Sequence, residues 1–300
     1  MENGLFLALL ASVSYAASAV YVRRGASRTG EAFTMTAISI FIGVPLFAAL
    51  ILFSGEWGKL WPPSWQVFIM LGIAGIIHFV PGRFLSYNSI RLIGANKASA
   101  FLRTTPFYTV VLSVIFLNEA ITISLVFGVL GIFVGAVLVS TERKSVSTDK
   151  QGGFWGTEFN GILNALGGAL CWGISPVLIR PAVVELGSSI VASFISCSAA
   201  SIVMAFFFFR RQHREQLAQL RNFAYLTPII ISGIFVGIAQ LLNYSALRYS
   251  PANMVTPLIG TSVLFVFFFS FFLNRKIEVF TLKVILGMVA TVVGTYLIFT

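Results

Sequence analysis

Four ionisable side chains interrupt otherwise apolar runs of this sequence: His78, Arg83, Arg103 and Lys283. An ionisable group at bilayer depth costs roughly 3 kcal/mol or more unless it faces protein or a water-filled space, so each is a candidate for handling a polar cargo. A guanidinium presents a planar fork of donors suited to a carboxylate, sulfonate or phosphate. An imidazole can exchange a proton near neutral pH. The ten Asp and Glu all sit in connecting stretches or at the ends of apolar runs, with Glu119 the nearest to an exception. A carrier of lipophilic cations needs a carboxylate inside the membrane to pair with its cargo, and that device is missing.

The neighbours of these residues follow helical spacing. Arg83, Ser86 and Tyr87 share one helix face and Asn96, Ser99 and Arg103 another, because positions three and four apart are adjacent on a helix. Each arginine lies about seven residues from the turn expected near Gly94, about 10 Å inside the helix end at 1.5 Å per residue. Two readings stay open for Arg83 and Arg103: an anion clamp, or a long side chain that snorkels to the interface. For His78 they are a protonation switch, or a neutral imidazole hydrogen-bonded between helices. The charge of Arg83 and Arg103 favours a substrate with at least one anionic group, held nearer the first half of the chain.

The elements that must position these residues follow from composition. Of 300 residues 57% are hydrophobic and only 10% charged, far below the roughly 25% charge of soluble domains. Mean hydropathy is +0.92, so the lipid bilayer is the partner of most of the surface. The net charge of +10 comes from basic residues scattered between apolar runs, which does not make a nucleic-acid surface. Cys171 and Cys197 both fall in apolar runs and read as small buried residues. Ten windows are long and apolar enough to span a bilayer: 4–22, 33–53, 66–90, 96–117, 121–140, 161–180, 188–209, 224–248, 252–273 and 279–299. The first resembles a signal peptide but has Glu2 before it and Arg23 and Arg24 after it, and is expected to be a retained span.

An internal repeat appears when residue n is set against residue n+157. Gly4, Ala8, Leu9, Ser18, Val20 and Arg23 fall on Gly161, Ala165, Leu166, Ser175, Val177 and Arg180, and Tyr15 falls on Trp172. Tyr87, Arg91, Ala95, Asn96 and Thr104 fall on Tyr244, Arg248, Ala252, Asn253 and Thr261; after a one-residue slip, Phe116-Leu117-Asn118 and Gly131 fall on Phe272-Leu273-Asn274 and Gly287. The domains are therefore 1–141, a polar linker 142–160, and 161–300. Five spans per half is an odd number, so the halves are inverted with respect to each other, the arrangement that suits alternating access about a midplane site. The polar faces repeat too: Arg83, Ser86 and Tyr87 correspond to Gln240, Asn243 and Tyr244, and Asn96, Ser99 and Arg103 to Asn253, Thr256 and Gly260. Tyr15 and Trp172 are candidates for lining a pocket, with ordinary helix packing as the alternative reading.

The connections after spans 1, 3, 5, 7 and 9 hold most of the loop Lys and Arg, while those after spans 2, 4, 6 and 8 hold only Lys59, Arg180 and Arg248. By the positive-inside rule this puts the odd connections in the cytoplasm and both termini outside. Trp57, Trp61 and Trp65 are interface anchors, and the 30 phenylalanines are mainly lipid-facing bulk. Two GxxxG patterns, at Gly131–Gly135 and Gly233–Gly237, permit close helix contact and leave a homodimer open.

Gly94-Ala95-Asn96-Lys97-Ala98-Ser99-Ala100 with Pro106, the Leu117-Asn118-Glu119 ending, and their echoes Ser250-Pro251-Ala252-Asn253 and Leu273-Asn274 resemble the EamA-type drug/metabolite transporter superfamily over essentially the whole chain. The resemblance implies an all-α membrane protein of about ten transmembrane helices, in two inverted five-helix repeats around a central cavity lined chiefly by helices 1, 3, 4, 6, 8 and 9. It implies a secondary transporter, commonly an exporter of amino acids or other metabolites, in a bacterial or archaeal cell membrane. One departure stands out: the second half has Arg275 where Glu119 predicts an acid. The alternatives are an exporter of lipophilic drugs or cations, a channel, and a membrane enzyme. The last would need clustered His, Asp or Glu, whereas His78 and His213 lie on distant segments. No nucleotide-binding motif, cofactor motif or metal-ligand spacing is present in the sequence.

Overall fold

The computed structural model describes residues 2–29, 32–61, 64–141, 156–208, 223–273 and 282–299. These form α1 (Glu2–Thr29), α2 (Ala32–Ser54), a short 3-10 turn (Glu56–Leu60), α3 (Trp65–Phe79), α4 (Pro81–Leu102), α5 (Thr105–Leu117) and α6 (Ile123–Thr141) in the first half. The second half contains α7 (Thr157–Leu186), α8 (Ser189–Phe208), α9 (Phe223–Tyr249), α10 (Ala252–Gly260), α11 (Ser262–Leu273) and α12 (Leu282–Phe299). Among the described residues, five helical stretches are long and apolar enough to cross a bilayer, and four shorter apolar helices accompany them. The fold is that of an all-helical membrane protein. The linker proper, residues 142–155, and His213 lie outside the described residues.

Ten spans emerge once the short helices are joined. Span 9 is α10 followed by α11, interrupted at Thr261. In the first half, Gly168 of α7 has Ser86 N 3.2 Å and Leu102 Cδ2 3.4 Å from the position of a side chain's first carbon. Sixteen residues of straight helix would hold those atoms about 24 Å apart. The chain therefore reverses within the stretch after Ile93, as the spacing around Gly94 predicts, although the backbone stays helical there. Span 3 is then α3 and the first part of α4, jointed at Val80, and span 4 is the end of α4 with α5.

The sequence reading ends span 6 at Arg180; the helix instead continues through Pro176 and Pro181 to Leu186. A proline removes one N–H, and in lipid a helix that lost its remaining backbone bonds would find no water to replace them. Lys283, read as intramembrane, occupies the first turn of α12 and is exposed.

The halves are tied by swapped contacts. Gly4 lies against Ser250, and Gly161, its counterpart at offset 157, lies against Ile93, the counterpart of Ser250. Helix α1 thus packs on span 8 of the other half and α7 on span 3. Cys197 Sγ donates to Ile40 O at 3.3 Å. These two residues are one repeat apart and touch, so a pseudo-two-fold axis passes between them. Gly135 against Thr291, one repeat apart after the slip, marks the same axis between α6 and α12. Close approach there needs glycine: the first carbon of a side chain at Gly131 would meet Gly294 Cα at 3.1 Å. The two GxxxG patterns are thus used inside the chain, Gly131 and Gly135 against α12, and Gly233 and Gly237 against Ile42 and Leu46 of α2.

Candidate functional site

Thr104 and Thr261 interrupt spans 4 and 9 in the same way. Thr104 N bonds Phe101 O and Thr261 N bonds Leu258 O, both at 3.1 Å, while each hydroxyl donates to the same carbonyl at 2.7 Å. The next segment starts with Phe107 N to Thr104 O at 3.0 Å and Leu264 N to Thr261 O at 2.9 Å. A threonine that bonds a carbonyl of the preceding turn replaces the regular ladder with a tighter turn. The repeat aligns Thr104 with Thr261, which is the signal by which the breaks could be found; neither residue is a helix breaker on its own. Discontinuous helices at the interface of inverted repeats are where transporters build binding sites.

Arg103 occupies the first break, and its Nε is buried without a hydrogen-bond partner. Leu102 and Thr105 on either side flank Gly168 and Gly173 of α7, the turns that carry Trp172. The Trp172 indole reaches Gly82 at 2.9 Å from that glycine's side-chain position and donates its N–H to His78 O at 3.2 Å. The His78 ring lies 6.2 Å from Trp172 and edge-on to Phe79 at 4.9 Å, with Nδ1 buried and unpartnered. The Arg83 guanidinium stacks over Phe79 at 5.0 Å and donates to Ser39 Oγ at 2.5 Å. It is 9% exposed, so its head group is turned into the protein. Phe79 packs with Ile40 and Cys197, the axis pair. His78, Arg83 and Trp172 are thus gathered around Phe79, and the break at Arg103 lies against the turns of α7 that carry Trp172.

The second half supplies neutral groups. Tyr15 OH donates to Gln240 Oε1 at 2.9 Å, and Ser18 and Ser232 bond at 2.8 Å. Gln240, Asn243, Tyr244 and Thr256 are buried, and Gln240 Nε2, Asn243 Oδ1, Tyr244 OH and Thr256 Oγ1 have no partner. The side chains of Tyr87 and Ser99 lie outside the described residues. Among the described residues no cluster of His, Cys, Asp or Glu could hold a metal ion. Ser39 and Phe79, which hold Arg83, went unnoticed in the sequence: Ser39 is on another span, and no local spacing links it to residue 83.

The sequence places Glu119 at the end of an apolar run, in the Leu117-Asn118-Glu119 ending, and names no partner for it. Its carboxylate accepts the backbone N–H groups of Ala252 at 2.8 Å and Asn253 at 2.9 Å and pairs with Arg180 Nε at 2.9 Å. Arg180, assigned to a loop by the sequence reading, is a helical residue whose Nη1 donates to the carbonyls of Leu247 at 3.1 Å and Ser250.

The broken spans, swapped halves and buried polar interior define a membrane-embedded inverted-repeat protein. Residues 2–141 and 159–300 each match the model of the EamA-like transporter family, and the chain belongs to that family. It is 30% identical over 145 residues to an uncharacterized transporter, YvbV, of Bacillus subtilis (strain 168); the match covers 47% of this chain, and the chain spans about half, 46%, of that relative. One solved structure, described only as a crystal structure of a protein, superposes with a TM-score of 0.80 over 99% of this chain and 96% of its own, at 17% identity. That likeness is one of fold.

Proposed function

We propose that the chain is a secondary transporter, working as an exporter of small metabolites with an anionic group, amino acids or organic anions, by alternating access of its two halves. The observation that carries this reading is that spans 3, 4, 8 and 9 of the two halves bear buried polar atoms without a partner, among them Arg103 Nε, His78 Nδ1, Gln240 Nε2, Asn243 Oδ1, Tyr244 OH and Thr256 Oγ1. Buried polar groups are almost always paired, and leaving one unpaired costs about 1–3 kcal/mol. Polar atoms left open on both halves fit a site that a polar ligand completes. Arg103 and Arg83 supply the positive charge for the anionic group; the half-two amides and hydroxyls read its remaining polar atoms. A lipophilic cation would find two guanidinium groups here.

The test is a thermal-shift screen of purified protein in detergent against amino acids, organic anions, sulfonates and lipophilic cations, beside Arg103→Gln. A ligand at 100 times its Kd adds about 2.7 kcal/mol to the folded state. Stabilisation of the wild type, but not the variant, by anionic or zwitterionic compounds is expected. Stabilisation by cations alone would overturn the anion site. In the membrane, a bacterial or archaeal cell membrane, the basic odd connections lie in the cytoplasm. A cysteine at Gly152 then resists an impermeant thiol reagent added to intact cells, and rapid labelling there would reverse the orientation.

A further inference from the structure

We infer that Glu119 and Arg180 form the latch of a gate at one face of the molecule, and that the other face has no such latch at the corresponding positions. The inference rests on the alternating-access reading above. The face in question is formed by the connections after spans 2, 4, 6 and 8. Every acid there bonds the opposite half: Glu119 of the first half to Arg180, Ala252 and Asn253, Glu56 of the first half to Ser188, and Glu185 of the second half to Ser64 at 2.7 Å. Lys59 adds a bond to Gly187 O at 3.2 Å, and Asn253 Nδ2 one to Ala120 O at 3.0 Å.

Glu119 differs from the other two acids in burial and in what it holds. Its side chain is 6% exposed, so the pair is little screened by water. It reaches across from Asn118, which takes the left-handed conformation at φ 51° to end α5 and turn the chain toward the other half. It then occupies the first backbone donors of α10, satisfying N–H groups that a helix start leaves free. Helix α10 carries Thr256 and ends at the break at Thr261. Arg180 meanwhile collects carbonyls at the end of α9, where a helix exposes its own. One ion pair therefore fastens the end of span 8 and the start of span 9 to the first half. For a cargo to pass this face, α10 must move away from α5, and that pair must part.

The repeat makes the latch one-sided. The offset that places Glu119 in the first half places Arg275 in the second, and Arg180 corresponds to Arg23. The twin positions thus encode two arginines in place of an acid and a base. One substitution between the repeats gives an acid–base pair to the first face and none at the twin positions, and it favours closure on the latched face.

The experiment uses the full-length chain in liposomes, in a Cys171→Ala background with Val255→Cys on α10. Val255 is fully buried and outside the polar site. Native Cys197, buried on the axis, reports loss of fold in the same sample. An impermeant thiol reagent is applied from the latched face, and each peptide is quantified by mass. In the wild type Val255→Cys is expected to label slowly; Glu119→Gln and Arg180→Gln should each raise its rate at least 10-fold, and the double variant should add little more, since both remove one interaction. Cys197 stays unlabelled throughout. If Glu119→Gln exposes Cys197, the decision passes to Arg180→Gln, which leaves the carboxylate on α10. Unchanged labelling in the folded variants, additive effects, or rapid labelling of the wild type would each overturn the latch. No substrate is present, so the result stands apart from whether the transport reading holds.

Discussion

The two helix breaks share their hydrogen bonds almost to the tenth of an ångström, yet Arg103 precedes one and Gly260 the other. The same split recurs one span earlier, with Arg83 opposite Gln240. Backbone geometry is preserved between the halves because each half packs against its own twin, at Ile40 and Cys197 and at Gly135 and Thr291, where one change must be absorbed by a close neighbour. Among the described residues, the contacts of Arg83 are Ser39 and Phe79 and that of Gln240 is Tyr15, so these twins are held by different neighbours. They have been free to specialise, and charge has gathered in the first half.

The strongest way to break this comparison is to set the arginine against its neutral side. Arg103→Gln is expected to weaken transport of the true substrate by about 100-fold, since a charged hydrogen-bond partner is worth about 1.5–3 kcal/mol. Gln240→Leu, which removes a neutral group, should weaken it by about 10-fold or less. Equal losses in a counterflow assay would mean that the halves share the cargo evenly. A second pair tests the backbone claim. Gly75 packs so closely on the Ser196 carbonyl that a methyl group has no room, and Gly75→Ala should cost about 1–3 kcal/mol in unfolding measurements. Its counterpart Ser232 only shares a hydroxyl bond with Ser18, so Ser232→Ala should cost about 1 kcal/mol. A larger loss at Ser232 would show that the packed and polar positions had been assigned the wrong way round.

The smallest effect concerns Glu56. Partial burial pushes its carboxyl up, but the Ser188 hydroxyl and Lys59 outweigh that and hold it below the ordinary value of 4.5. A depressed carboxylate contributes stability that is present above the ordinary value and is lost as pH falls through the lowered one. Unfolding midpoints of the wild type and Glu56→Gln should therefore differ slightly at pH 7 and converge below pH 4.5. A gap that widens in acid would contradict the assignment.

Hydropathy, the 157-residue offset and the odd number of spans were enough to read the ten-span plan and the inverted halves. The departures have physical causes. Pro181 reads as a stop, but inside a membrane bundle the helix loses one bond and continues. Thr104 and Thr261 carry no breaking signal alone, because a threonine bends a helix only when its hydroxyl turns back to a carbonyl. The joint at Val80 has no sequence mark before Pro81 other than that proline. Glu119 was visible as an acid without a counterpart, but its partner Arg180 lies 61 positions away in a segment read as a loop, and no spacing rule joins them.

The pairing of residues one repeat apart also bears on how the chain is made. When the first half has left the ribosome, Ile40, Gly43 and Gly75 face a surface that does not yet exist, because their partners Cys197 and Ser196 lie between 121 and 157 positions further along the chain. At roughly 5–20 residues per second of synthesis, that face waits on the order of ten seconds or more within the bilayer. Nascent half-proteins of this kind have the surface that a separate copy in the opposite orientation would need, and two of them could clasp each other in place of the half still being translated.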